Sequence, residues 1–256
     1  MTAPHNATKI FSTERTVVVG VDGTEQSEYA VGWAVREAKA RGAVLRIVGV
    51  AATGHDDVPG FIVRDAVQQS SKIVESAVTL ATSLEPAVTV RGDVLEGLPA
   101  DMLATASEVA DLLVVGMGGR GALGELVLGS VSERCMRSAR CPVVVVRTPP
   151  VYGAPAWKAR IVVEVDGSEA SQKALRWARD EAALVEADVE EVPVGRGLRS
   201  AQAMADLLQA SADANLLVVT DPGRRVVHHR IGTPLAHHCV HHAGCPVAVL
   251  GPAALR

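Results

Sequence analysis

The chain repeats itself. Residues 17–38 laid over residues 161–182, at a constant offset of 144, agree at 12 of 22 positions, including Asp22/Asp166, Gly23/Gly167, Ser27/Ser171 and Trp33/Trp177. Near the far end of each copy, DLLVVG at 111–116 lies over NLLVVT at 215–220, and Cys135 and Cys141 lie over Cys239 and Cys245, now at an offset of 104. Repetition at this spacing predicts two copies of one fold in tandem. The drop of 40 in the offset places a deletion in the second copy between residues 182 and 215, about the length of one strand, one helix and their loops. What remains there, 188–194 and 199–212, reads as one strand and one helix where the first copy has two of each. The second domain is therefore expected to have about four strands.

Both copies begin alike. An apolar strand starts at Thr16, Asp22-Gly23 makes a turn, and Ala30, Val31, Trp33, Ala34 and Ala38 share one helical face. Strand 43–50, helix 62–83, strand 87–92, helix 99–110 and strand 111–115 follow; a glycine-rich loop, a helix and strand 141–147 complete the first copy. Five strands alternating with four helices predict an α/β fold built on a doubly wound parallel sheet, whose ligands bind at the carboxyl ends of the strands. Hydrophobic residues make up 48% and aromatics only 3%, so Val, Leu, Ile and Ala fill the core, as buried parallel strands require. The prolines of residues 148–159 mark a linker, which gives domains at 16–147 and 160–251 behind a loose tail, residues 1–15. A net charge of −4 offers nucleic acid no basic face. No apolar run of about 18 residues is present to span a membrane, and the first 15 residues lack the apolar centre of a signal peptide. A cytoplasmic protein is expected, with its four cysteines reduced and packed inside.

The glycine-rich loop, GMGGRGALGELVLGSVS, covers residues 116–132. Bare backbone between a strand end and a helix N-terminus suits a phosphate, because unpaired N–H groups and the helix dipole both point at the anion. Gly116 and Gly119 are expected to let the main chain turn beneath the phosphate, where a Cβ would collide or forbid the dihedrals. Ser130-Val131-Ser132-Glu133 has the form of a capping box with Ser130 as the cap, and Arg120, the cation inside the loop, either reaches terminal phosphates or stands in solvent. Two rival motifs fail. Gly116, Gly118 and Gly121 have dinucleotide spacing but follow the fourth strand, and no acidic residue ends a strand about 20 residues later. A G-x4-G-K-[ST] phosphate loop needs a lysine, and none occurs from residue 73 to residue 157. A ligand-free surface loop stays open, as does an Asp22 that only bonds its own turn.

Taken together, VVVGVDGTEQS at 17–27, DLLVVG, Gly116-x2-Gly119-x9-Gly129-Ser130 and CPVVVV at 141–146 resemble the universal stress protein family, over nearly all of residues 16–250 as two copies. The resemblance implies Rossmann-like, adenine nucleotide alpha-hydrolase-like domains. The intact glycine spacing implies the branch that binds ATP, with or without Mg2+. Carried over to this chain, the site comprises Asp22 at the end of the first strand, beside its turn residue Gly23, and Val50 at the end of the second for adenine. Val115, Gly116, Gly119, Gly129, Ser130, Val131 and Ser132 would hold ribose and phosphates, with Arg120 on the same loop as a further candidate. The family's pairing through the last strand implies contact between 143–146 and 247–250, within one chain or between chains as a homodimer. The implied role is a regulatory or sensor module acting on a protein partner that the sequence does not name. A slow ATP hydrolase and a nucleotide-free pairing scaffold are the alternatives. Hydrolysis needs an oriented water, a base and a metal, and Asp22 is the one well-placed carboxylate, with Glu125 a remote second.

The second copy departs from the pattern. Thr220 stands where Gly116 stands, Gly223 is kept, and Gly232 follows after eight residues, RRVVHHRI, instead of nine. Thr233-Pro234 still reads as an N-cap followed by the first helical residue. The strand that would carry adenine falls within the stretch from which residues are lost. This copy is expected to bind nucleotide weakly or not at all and to serve as a pairing partner. His237/His241 and His238/His242 have a helical spacing that can hold zinc or nickel. No third ligand is defined, so a solvated helix face and no metal are expected. Trp33 and Trp177 are expected to pack against the sheet.

Overall fold

A computed structural model describes residues 14–53, 59–118, 128–147, 159–195, 201–221 and 235–256. The first half runs β1 (Thr16–Val21), α1 (Glu25–Arg41), β2 (Val44–Ala51), α2 (Gly60–Leu84), β3 (Val90–Glu96), α3 (Pro99–Ala106), β4 (Leu112–Gly116), α4 (Ser130–Ser138) and β5 (Val143–Val146). The second half runs β6 (Arg160–Val165), α5 (Glu169–Val185), β7 (Asp188–Pro193), α6 (Ala201–Ser211), β8 (Leu216–Thr220), α7 (Leu235–His242) and β9 (Val247–Leu250).

Alternation of side chains buries β1 on both faces. Val17 and Val19 join a core with α1, α2 and α5, while Val18 joins one with α3, α4, α6 and α7. Covered on two sides, such strands read as unbroken apolar runs. The strand order is β3-β2-β1-β4-β5-β9-β8-β6-β7. Within each half the pairs are parallel; β5 and β9 join the halves antiparallel, in the register Val143↔Val249, Val144↔Ala248, Val145↔Val247. The last-strand pairing thus occurs inside the chain, and two doubly wound sheets become one.

The register Thr16↔Val44 between β1 and β2 returns as Arg160↔Asp188 between β6 and β7, so the offset of 144 persists through β7. The Ser107 hydroxyl donates to the Ala104 carbonyl, and that of Ser211 to Leu208, so α6 matches α3 at the offset of 104. The second half therefore lacks counterparts of α2 and β3. It retains β7, the strand in the position expected to carry adenine, which corrects the sequence expectation. An outermost strand and its covering helix are removable because no inner pairing depends on them. As an edge, β7 carries Asp188, Glu190, Glu191 and Pro193, residues that discourage pairing with another sheet. Arg160 and Arg179 are ion-paired with Glu190 and Glu191.

Two expected boundaries move. The third strand lies at Val90–Glu96, later than 87–92, because this edge strand is half-exposed and its inner residues do not form an apolar run. The helix expected over 99–110 stops at Ala106 and tightens into a 3-10 turn, Ser107–Val109. Residues 148–158 of the linker lie outside the described residues, as do residues 1–13 of the tail.

Across the junction, equivalent positions of the two copies meet. Glu37 on α1 and Glu181 on α5 flank Arg41, whose Nε donates to Glu37 Oε1 at 2.7 Å and whose Nη2 pairs with Glu181. Burial first, and then the neighbouring Glu37, push the Glu181 carboxyl up to about 8. On the opposite face His237 Nε2 lies 3.8 Å from Glu133, and the Arg147 guanidinium donates to the His241 carbonyl. His238 and His242 are neighbours with ring centroids 4.5 Å apart. Among the described residues no three His, Cys, Asp or Glu side chains converge as a metal site. The four cysteines are buried, and burial pushes the thiols of Cys135, Cys141 and Cys245 up to about 12. Trp33 and Trp177 are half-buried against the core shared by α1 and α5.

Candidate functional site

The strand order reverses between β1 and β4, and an α/β sheet opens a crevice at such a point because its connections leave in opposite directions. Here the crevice widens into a cavity of about 470 Å³, within the range of small-molecule sites. Asp22 sits at its rim and shapes the turn into α1. Its Oδ1 accepts from the Thr24 N–H at 3.0 Å and the Thr24 hydroxyl at 2.6 Å. Thr24 then caps α1 by accepting from the Ser27 N–H. The turn needs Gly23, whose φ is 81°. Asp166, Gly167 and Ser168 repeat the device in front of α5.

Of the residues carried over by resemblance, Asp22, Val50, Val115, Gly116, Gly129, Ser130, Val131 and Ser132 line this cavity. Gly23 does not; it lines a neighbouring groove between α1 and α2. Gly119 and Arg120 lie outside the described residues, as does Glu125. The sequence reading missed Gly20, Val48, Ile73 and Leu103, which also line the cavity. The signal for Gly20 was a glycine interrupting an otherwise apolar strand, which marks close approach.

Ser130 is not the cap. Helix α4 begins at the Gly129 carbonyl, which accepts from the Glu133 N–H at 3.0 Å, and no side chain caps it. The Gly129 N–H is held by the Met117 carbonyl at 2.8 Å, which makes Gly129 the N-cap and Ser130 the first, exposed helical residue. Uncapped first-turn amides are donors for an anion. Ser132, buried, donates to the Gly116 carbonyl at 2.7 Å and ties the helix to the end of β4.

Gly116 has a different role from the one expected of it. It is the last residue of β4 and lies outside the left-handed region, so no unusual dihedral requires glycine there. A Cβ would instead lie 2.8 Å from the backbone carbon and oxygen of Gln26 in α1. Bare backbone here lets α1 start against the strand end. Gly116→Ala is expected to cost about 1–3 kcal/mol, as overpacking against backbone does, measured as a lowered midpoint of urea unfolding with unchanged steepness.

The universal stress protein family model matches residues 14–147, more than half of the chain. The chain belongs to the universal stress protein family. One universal stress protein of Mycobacterium tuberculosis (strain ATCC 25618 / H37Rv) is 36% identical over 185 residues, 65% of this chain and 58% of its own length. A second, from the same strain, is 28% identical over 282 residues, 91% of this chain and 96% of its own. The chain thus spans 58% of the length of the first relative and nearly all of the second. The crystal structure of a universal stress protein from Archaeoglobus fulgidus DSM 4304 superposes with a TM-score of 0.74 at 16% identity, over 94% of this chain and 99% of that one. At that identity the likeness is one of fold. It extends through both halves of this universal stress protein.

Proposed function

We propose that this universal stress protein binds one ATP in the first-half cleft and acts in the cytoplasm as a regulatory or sensor module of a stress response. The observation that carries the reading is the mixed lining of the cavity. Val48, Val50, Ile73 and Leu103 give an apolar wall suited to a base, and the uncapped N-terminus of α4 at Ser130–Ser132 gives amide donors suited to phosphates. Gly119 and Arg120, on the loop, complete the phosphate end in this reading. Asp22 is the carboxylate placed to meet a ribose hydroxyl or the Mg2+ that accompanies ATP. One of its oxygens is already engaged by Thr24, and this argues for a holding role over that of a base. No helix among the described residues is long and apolar enough to cross a membrane. Since β5 and β9 pair within the chain, a homodimer would have to use another surface.

The test is calorimetry of the full chain with ATP, together with thermal unfolding. One ATP per chain is expected, with about 2.7 kcal/mol of added stability at a free concentration of 100 times Kd. A chain that takes up no ATP and gains no stability is the pairing scaffold. A steady turnover of ATP that Asp22→Ala abolishes while binding survives would make it a hydrolase.

A further inference from the structure

The corresponding strand ends of the second half carry buried side chains where the first half has glycines. The correspondence is fixed by hydrogen bonds: the Met117 N–H donates to the Val146 carbonyl at 2.9 Å, and the Asp221 N–H donates to the Leu250 carbonyl at 3.1 Å. The strand registers of β1·β2 and β6·β7 fix it on the other side. On this superposition Gly20, which lines the first cavity, becomes Glu164, and Gly116 becomes Thr220. Glu164 is 0% exposed and Thr220 3%. The Glu164 carboxylate accepts from the Thr220 N–H at 3.2 Å and from its hydroxyl at 3.3 Å. A side chain from β6 is thereby bonded across the crevice to the end of β8, at the point where the order of the strands reverses.

The walls tell the same story. Val50 and Val131, partly exposed around the first cavity, become Val194 and Leu235, at 2% and 1% exposure. Asp221, in place of Met117, adds a second acidic residue at the strand end. We propose that Glu164 is a built-in stopper, occupying in the second half the place that a nucleotide takes in the first, and that it limits the chain to one nucleotide. The proposal rests on reading the first cleft as a nucleotide site. The side chain takes the volume that Gly20 leaves open in the first half.

Transplanting and removing the stopper tests it in the full chain, with ATP as the probe. Gly20→Glu is expected to weaken binding in the first half by about 100-fold or more. The nearest atoms to a Cβ at Gly20 belong to the flexible end of Leu103, the first at 2.8 Å, and the second half keeps a buried leucine, Leu207, at that position beside its own glutamate, so the variant is expected to fold. Glu164→Gly is expected to raise the uptake from one ATP per chain to two, the second weaker, and Glu164→Gln, which preserves the shape, to leave it at one. A folded Glu164→Gly that still takes up one ATP overturns the proposal. If that variant does not fold, a Gly20→Glu chain that binds ATP as the wild type does overturns it instead. Should the wild type take up none, the proposed function fails, while a Glu164→Gly chain that then takes up one leaves the stopper standing.

Discussion

Val144→Asp is expected to leave the chain without a stable native state. Val144 is fully buried and pairs with Ala248, also fully buried, at the centre of the antiparallel junction. Its side chain belongs to the apolar core that includes residues of both α1 and α5. The substitution forfeits the burial of a valine, about 1.5–3 kcal/mol, and adds the several kcal/mol of desolvating an unpaired charge. The sum, about 5 kcal/mol or more, is comparable to the whole stability of an ordinary domain. Far-UV circular dichroism and gel filtration at pH 7.5 should show an unfolded or aggregated chain. Val144→Ala, which leaves only a small cavity, should remain folded with a lowered urea midpoint. A Val144→Asp chain of native stability would mean that the junction of β5 and β9 is not buried in solution.

Arg41→Met has the second largest expected effect, and its size depends on pH. Arg41 lies between Glu37 and Glu181, all three side chains being less than a tenth exposed. Removing one member of a buried ionic group typically costs about 3–5 kcal/mol, because the charges left behind lose their compensation. The loss is expected to be largest above pH 8, where Glu181 is ionised, and to shrink below it as that carboxyl takes up a proton. The wild type should itself show a slope from the same group. Folding raises the Glu181 carboxyl from an ordinary 4.5 to about 8, chiefly through burial. Its contribution is therefore fully present below about pH 4.5 and is lost as pH rises through about 8. Urea midpoints at pH 5.5, 7 and 8.5 should fall with pH in the wild type and fall less in Glu181→Gln. Equal slopes in the two chains would detach the pH dependence from this cluster.

The inner strands were legible because they are buried on both faces. TVVVGV, LLVVG and CPVVVV carry their state in composition alone, and the constancy of the offset gave away the second copy. Edges were harder to read. β3 is half-exposed along its length, and Arg91, Asp93 and Glu96 break the apolar pattern, which moves the strand read from sequence several residues early. The two offsets set the length of the deletion, yet its identity depends on the pairing of β7 with β6, a long-range fact that no local spacing records. At the site, spacing marked the residues at the strand end and the helix start. The division of labour among them lay in three dimensions: that Gly116 makes room for Gln26, that Gly129 and not Ser130 begins α4, and that Leu103 faces Gly20. The meaning of Glu164 was likewise hidden, since a single acidic residue in an apolar strand says nothing about which crevice it enters.

The antiparallel contact of β5 with β9 changes what protein concentration can do to this molecule. When two separate chains meet through an edge strand, dilution pulls them apart. Here the second strand is tethered about a hundred residues along the same backbone, and tethering supplies an effective concentration in the millimolar range for flexible connections of suitable length. Docking of the halves should thus be indifferent to how much protein a cell makes. The second half keeps its strand in contact with the first at any expression level, and it does so without the α2 and β3 counterparts it has lost.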